Sequence, residues 1–67
     1  MREWLKARRL KLNLTQDEVA SSAGISRSYY THIEQGTKTP TVKVAKSIAK
    51  IIEANWICFF EEDEDEV

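Results

Sequence analysis

The sequence predicts an all-α fold, a compact bundle of five helices in a single small domain, and three observations carry that prediction. Apolar positions recur three and four apart: Leu5 and Leu12 in register with Arg9, Tyr30 with Ile33, and Val42 with Ala45, Ile48, Ala49 and Ile52. A capping residue precedes most of these segments: Thr15, Ser26 and Thr41. Chain-turning residues then close them, at Asn13, Gly24, Gly36 and Pro40.

The first helix is expected from Arg2 to Leu12, ended by Asn13, which tolerates the left-handed backbone of a helix terminus. Thr15-Gln16-Asp17-Glu18 reads as a capping box, in which the Thr15 hydroxyl accepts from the Glu18 amide and the Glu18 carboxylate reaches back. That sets the second helix at residues 16–23, with Val19 and Ala20 inward. Gly24 supplies positive φ at the turn, Ile25 packs beneath it, and Ser26 caps a third helix from Arg27 to Gln35. Gly36 ends that helix, and residues 37–40 form a short loop. Thr41 caps the fourth helix, whose apolar stripe is Val42, Ala45, Ile48, Ala49 and Ile52, with Lys43, Lys46 and Lys50 facing water. A fifth, short helix is expected from Asn55, anchored by Trp56, Phe59 and Phe60. The domain is expected to span residues 1–60. The run from Glu61 to Glu66 is acidic throughout and is expected to fray.

A chain of 67 residues has room for one modest core. Its single cysteine, Cys58, has no partner within the chain and sits among Ile57, Phe59 and Phe60, so a buried thiol in a reducing compartment is expected. One Cys and one His cannot supply a four-ligand zinc site, and no cofactor is expected. The sequence shows no nucleophile–base pair, carboxylate dyad or phosphate loop, which argues against an enzyme. No apolar run approaches a membrane span, and Met1-Arg2-Glu3-Trp4 lacks a signal-peptide core, so a cytoplasmic protein is expected. The formal net charge of −1 conceals a division. Residues 1–50 hold all ten Lys and Arg and four acids, a balance of +6, while residues 51–67 hold seven acids and no base. A basic body suits a polyanion.

Leu14 to Pro40 is the stretch that gives this charge a use. Two short helices joined by a tight turn, the second with a polar and basic outer face, read as a helix-turn-helix that places the third helix in the DNA major groove. Several residues at fixed offsets strengthen that reading: Leu14-Thr15-Gln16, Val19-Ala20, Gly24-Ile25-Ser26, Ile33-Glu34, Gly36 and Pro40. Over residues 3–60 the chain resembles the Cro- and repressor-type (XRE) helix-turn-helix family of phage and bacterial regulators. The resemblance implies a lambda-repressor-like five-helix domain, with helices 2 and 3 as the reading unit, binding operator DNA as a homodimer.

What the resemblance implies residue by residue is as follows. Gln16 contacts a phosphate and braces the first reading side chain of the third helix. Arg27, Ser28 and His32 address base edges, with Thr31 on the same face. Gln35 touches phosphate, and Arg9 pairs with Glu34 to tie the first helix to the third. The residues themselves add detail. A guanidinium at Arg27 can pair with guanine O6 and N7, worth about 1–3 kcal/mol of discrimination; the plainer reading is a phosphate clamp. Tyr29 lies at the groove edge, either near phosphate or as a surface aromatic. Lys38, Thr39 and Lys43 follow the third helix, where backbone contacts position a protein without reading sequence. Trp56, Phe59 and Phe60 are either a dimer interface or a lid over helices 1 and 4.

The leading expectation is therefore a sequence-specific transcriptional regulator, a repressor that binds double-stranded DNA as a homodimer, with no membrane and no small-molecule site. The competing expectation is a protein-interaction module, antitoxin-like or anti-repressor, on the same fold.

Overall fold

A computed structural model describes residues 1–61 as four helices and one terminal helical turn: α1 (Glu3–Lys11), α2 (Gln16–Ala23), α3 (Arg27–Gln35), α4 (Val42–Ile52) and the turn Cys58–Glu61. The described residues contain no strand. The expected fifth helix is corrected to this single turn. Glu53 takes a left-handed conformation (φ 60°) that stops α4. Asn55 then folds a turn instead of starting a helix: its Oδ1 accepts from the Ile57 amide at 3.0 Å. Such local side-chain bonds compete with helix formation. The expectation for residues 62–66 lies outside the described residues.

The local signals act where they were expected. Thr15 Oγ1 accepts from the Glu18 amide at 3.0 Å and Glu18 Oε1 from the Thr15 amide at 2.8 Å, so both arms of the capping box close. Ser26 and Thr41 cap α3 and α4 through the amides of Tyr29 and Val44. Gly24 and Gly36 end α2 and α3 at φ 75° and 84°, and Asn13 turns the chain after α1 at φ 60°. The first helix is one residue shorter at each end than expected. Arg2 instead sends its amide to the Glu34 carbonyl of α3 at 2.8 Å.

Leu5, Val19, Ala20, Tyr30, Ile33, Ala45, Ile48, Ala49, Ile52 and Phe59 form the core where the helices meet. Each large apolar side chain removed from water here contributes about 1.5–3 kcal/mol. Val42 was expected in this stripe but is 49% exposed. As the first residue of α4 it lies a turn ahead of Ala45, where the core ends. The aromatic end divides. Phe59 is buried, its ring edge-on to Trp4 at 4.9 Å, while Trp56 is half-buried and Phe60 is 41% exposed. Cys58 is half-buried, not buried as expected, because only Phe59 of its turn points into the core. Among the described residues no helix is long and apolar enough to cross a membrane.

Candidate nucleic-acid interface

The three arginines of the N-terminal segment are committed to holding the other helices in place. Arg2 is 5% exposed; its Nη1 donates to the carbonyls of Ile33 and Lys38, and its guanidinium carbon lies 6.0 Å from the Phe59 ring centre. A cation at the Ile33 carbonyl, in the last turn of α3, also complements the helix dipole. Arg8 caps α4 in the same manner, with Nε and Nη2 donating to the carbonyls of Ile52 and Glu53, each at 3.0 Å. Arg9 reaches inward to α3.

That inward reach meets a closed network. Arg9 Nε and Nη2 donate to Glu34 Oε2 and Oε1 at 2.8 and 3.2 Å, and Arg9 Nη1 donates to the Leu14 carbonyl at 2.8 Å. Glu34 accepts two more bonds, from Gln16 Nε2 at 2.8 Å and from the Tyr30 hydroxyl at 3.0 Å. No buried side-chain polar atom is left without a partner among the described residues. Burial by itself would raise the Glu34 pKa. The hydrogen bonds from Arg9, Gln16 and Tyr30 outweigh it and leave the carboxyl below its ordinary value. Burial, with the Glu34 charge beside it, pushes the Tyr30 phenol up. The bond to Glu34 raises Arg9 further.

The network extends to the outer face. Gln16 Oε1 accepts from the Thr31 hydroxyl at 3.0 Å, while Gln16 Nε2 is held by Glu34. In the free chain Gln16 thus bonds to Thr31, one helical turn beyond Arg27 at the start of α3. Thr31 can serve this role because it is half-buried at the seam between α2 and α3.

Around Thr31, Arg27, Ser28 and Gln35 are exposed, and His32 and Tyr29 are half-buried. Lys38, Thr39 and Lys43 are exposed beyond the end of α3. Glu34 is the one acid of α3 and is 2% exposed, so the outer face of that helix carries no negative side chain. The acids of α2 lie elsewhere: Asp17 and Glu18 line an open groove with Leu14, Ser21 and Ser22, on the side of α2 opposite Gln16 by helical spacing. His32 Nδ1 lies 2.9 Å from Thr37 Oγ1, and the Thr37 hydroxyl donates to the His32 carbonyl at 3.2 Å.

At the other end, Trp56 and Phe60 meet edge-on at 6.0 Å, with Lys46 Nζ 5.0 Å from the Trp56 ring centre. Lys46, expected to face water, is exposed and also covers this ring. Among the described residues no group of three or more His, Cys, Asp or Glu is placed to hold a metal ion.

Arg2, Arg8 and Thr37 are the residues that the sequence did not single out. The arginines' partners are carbonyls 31 to 45 residues away, which no local pattern encodes. For Thr37 the available signal is weak: a Thr after a helix-ending glycine often bonds back to a carbonyl of the last turn.

Comparison with known proteins agrees with this geometry. Residues 5–54 match the family model described as helix-turn-helix. The chain is 50% identical over 62 residues, 92% of its length, to the uncharacterized HTH-type transcriptional regulator YqaF of Bacillus subtilis, of which the match covers 82%. It is 36% identical over its whole length to an uncharacterized HTH-type transcriptional regulator of Archaeoglobus fulgidus, covering 94% of that protein. It is 38% identical over 66 residues to MJ0272 of Methanocaldococcus jannaschii, which bears the same description; that match spans 96% of this chain and 100% of the relative. No solved structure matches the chain at a significant level. With its two-helix reading unit, its inward Glu34 and these relatives, the chain belongs to the XRE-type helix-turn-helix family of DNA-binding transcriptional regulators.

Proposed function

We propose that the protein is a repressor that binds a pseudo-palindromic operator as a homodimer, with α3 of each copy in the major groove. The observation that carries the reading is the outer face of α3. It exposes Arg27, Ser28 and Gln35, with Thr31 and His32 between them, and turns its one carboxylate inward to Arg9. On this reading Arg27, Ser28, Thr31 and His32 address base edges. Gln16, Tyr29, Gln35, Lys38, Thr39 and Lys43 hold the phosphate backbone, which supplies affinity without sequence choice. Arg9 and Glu34 hold the helix at its angle. Repression follows from occupancy of the promoter.

The exposed Phe60, with Trp56 and Ile57 beside it, is the surface through which two copies would meet. Phe59 takes no part, since the core of one chain already buries it. Half-sites about 34 Å apart, one helical turn, are expected for such a dimer. Binding-site selection from random DNA, together with the mass of the free protein in solution, tests the proposal. A symmetric enriched site and a dimer mass support it; no enriched sequence overturns it.

The same exposed Phe60 and Ile57 favour a second reading, a protein-interaction module on this fold. Binding to bulk DNA at low salt separates the two. A regulator binds with a steep salt dependence, whereas an interaction module does not bind.

A further inference from the structure

We infer that Thr31 meets DNA only as a hydrogen-bond acceptor, its own proton being committed to Gln16, so that it selects a base with an exposed amino group over guanine. This rests on the proposed placement of α3 in the major groove.

The buried network fixes each proton on the way out to Thr31. The Glu34 carboxyl is held below its ordinary pKa, so at neutral pH it is ionised and can only accept. Its oxygens take four bonds, two from Arg9, one from Gln16 and one from the Tyr30 hydroxyl. The Gln16 atom that faces it at 2.8 Å must therefore be the amide nitrogen. Turning that amide over would set its oxygen against the carboxylate with no proton between them. With the nitrogen inward, Gln16 Oε1 stands 3.0 Å from Thr31 Oγ1. An amide oxygen carries no proton, so the hydrogen between these two oxygens belongs to Thr31. A hydroxyl has one proton to donate, and what Thr31 keeps for DNA is lone pairs and a methyl group. The Gln16 amide has a second hydrogen, which stays available for a phosphate.

Lone pairs at Thr31 match the amino hydrogens of adenine N6 or cytosine N4. They oppose guanine, whose major-groove edge shows only the N7 and O6 acceptors. A threonine with a free proton accepts either kind of edge, so the restriction originates on α2, at Gln16. Arg27, one turn earlier in α3, is a donor throughout and suits guanine. The two positions thus ask for opposite edges, with Gln16 as the positioning residue for the second.

The test has two arms. The side-chain amide resonances of Gln16 in the 15N-labelled full chain report the bond without DNA. They should move in Thr31→Val, which removes the proton, and hold in Thr31→Ser, which keeps it. Resonances that ignore Thr31→Val, or move as far in Thr31→Ser, overturn the inference. Binding-site selection should enrich adenine or cytosine at the position that Thr31→Val alters. That variant should lose the preference by about two- to tenfold, the worth of one hydrogen bond, and Thr31→Ser should keep it. Gln16→Met, assayed below its melting temperature, frees the Thr31 proton and should admit guanine at the same position. Guanine enriched there by the unaltered chain, or no gain of guanine in Gln16→Met, overturns the inference; where Gln16→Met does not fold, Thr31→Val and the amide resonances decide. A chain that binds no DNA at all sinks the regulator reading, and with it the base choice, while the place of the proton in the free protein stands by itself.

Discussion

Arg9 of α1 grips Glu34 of α3 through two nitrogens, at 2.8 and 3.2 Å, with both side chains almost wholly withdrawn from water. Because Glu34 also receives Gln16 and Tyr30, one carboxylate fixes three helices to each other and passes that order out to Thr31 on the outer face of α3.

Removing the carboxylate leaves the Arg9 charge buried and unpaired. Glu34→Ala is expected to lose about 3–5 kcal/mol of stability, a large share of what a domain of this size has. Denaturant unfolding of the variant measures it, and a loss under about 1 kcal/mol would contradict the account.

The same carboxylate sets a response to acid. Its folded pKa lies below its ordinary value of 4.5, so its contribution to stability is present above that pH and is lost as the pH falls through the folded value. Melting temperature should fall on acidification below about pH 4.5. In Glu34→Gln this part of the slope should vanish, while stability at neutral pH is already reduced.

The outer face should behave differently from the network. Arg27→Ala is expected to relax base preference by about 1–3 kcal/mol at one position with little change in melting temperature, since Arg27 is exposed. Lys38→Ala and Lys43→Ala should weaken binding to all sequences alike, each reducing the salt slope by about one. Titrations of matched and scrambled sites at several salt concentrations distinguish the two kinds of residue.

Two backbone positions give stability predictions of opposite sign. A Cβ added at Gly24 meets nothing within 4 Å, so Gly24→Ala suffers only the left-handed backbone strain, about 1–2 kcal/mol. Glu53 already bears such strain at φ 60°, with its side chain exposed. Glu53→Gly should stabilise by about 0.5–1 kcal/mol, because the carbonyl that Arg8 holds is unchanged. Thermal unfolding of both variants checks the pair of signs.

Features under short-range control could be read directly from the chain. The bounds of α2 and α3, their caps at Thr15 and Ser26, and the glycines that end them depend on residues within three or four positions. The outer face of α3 was legible for the same reason, since a helix surface follows directly from spacing. How those parts are joined depends on packing between distant segments. Arg2 serves the end of α3 and Arg8 the end of α4, across 31 and 44 residues, because a buried carbonyl needs a donor wherever the fold brings one. Whether Gln16 would brace the start of α3 or Thr31 depended on how the two helices cross. Of the two adjacent phenylalanines, Phe59 meets Trp4 and Phe60 meets solvent, because a terminal turn on this core has one inward side.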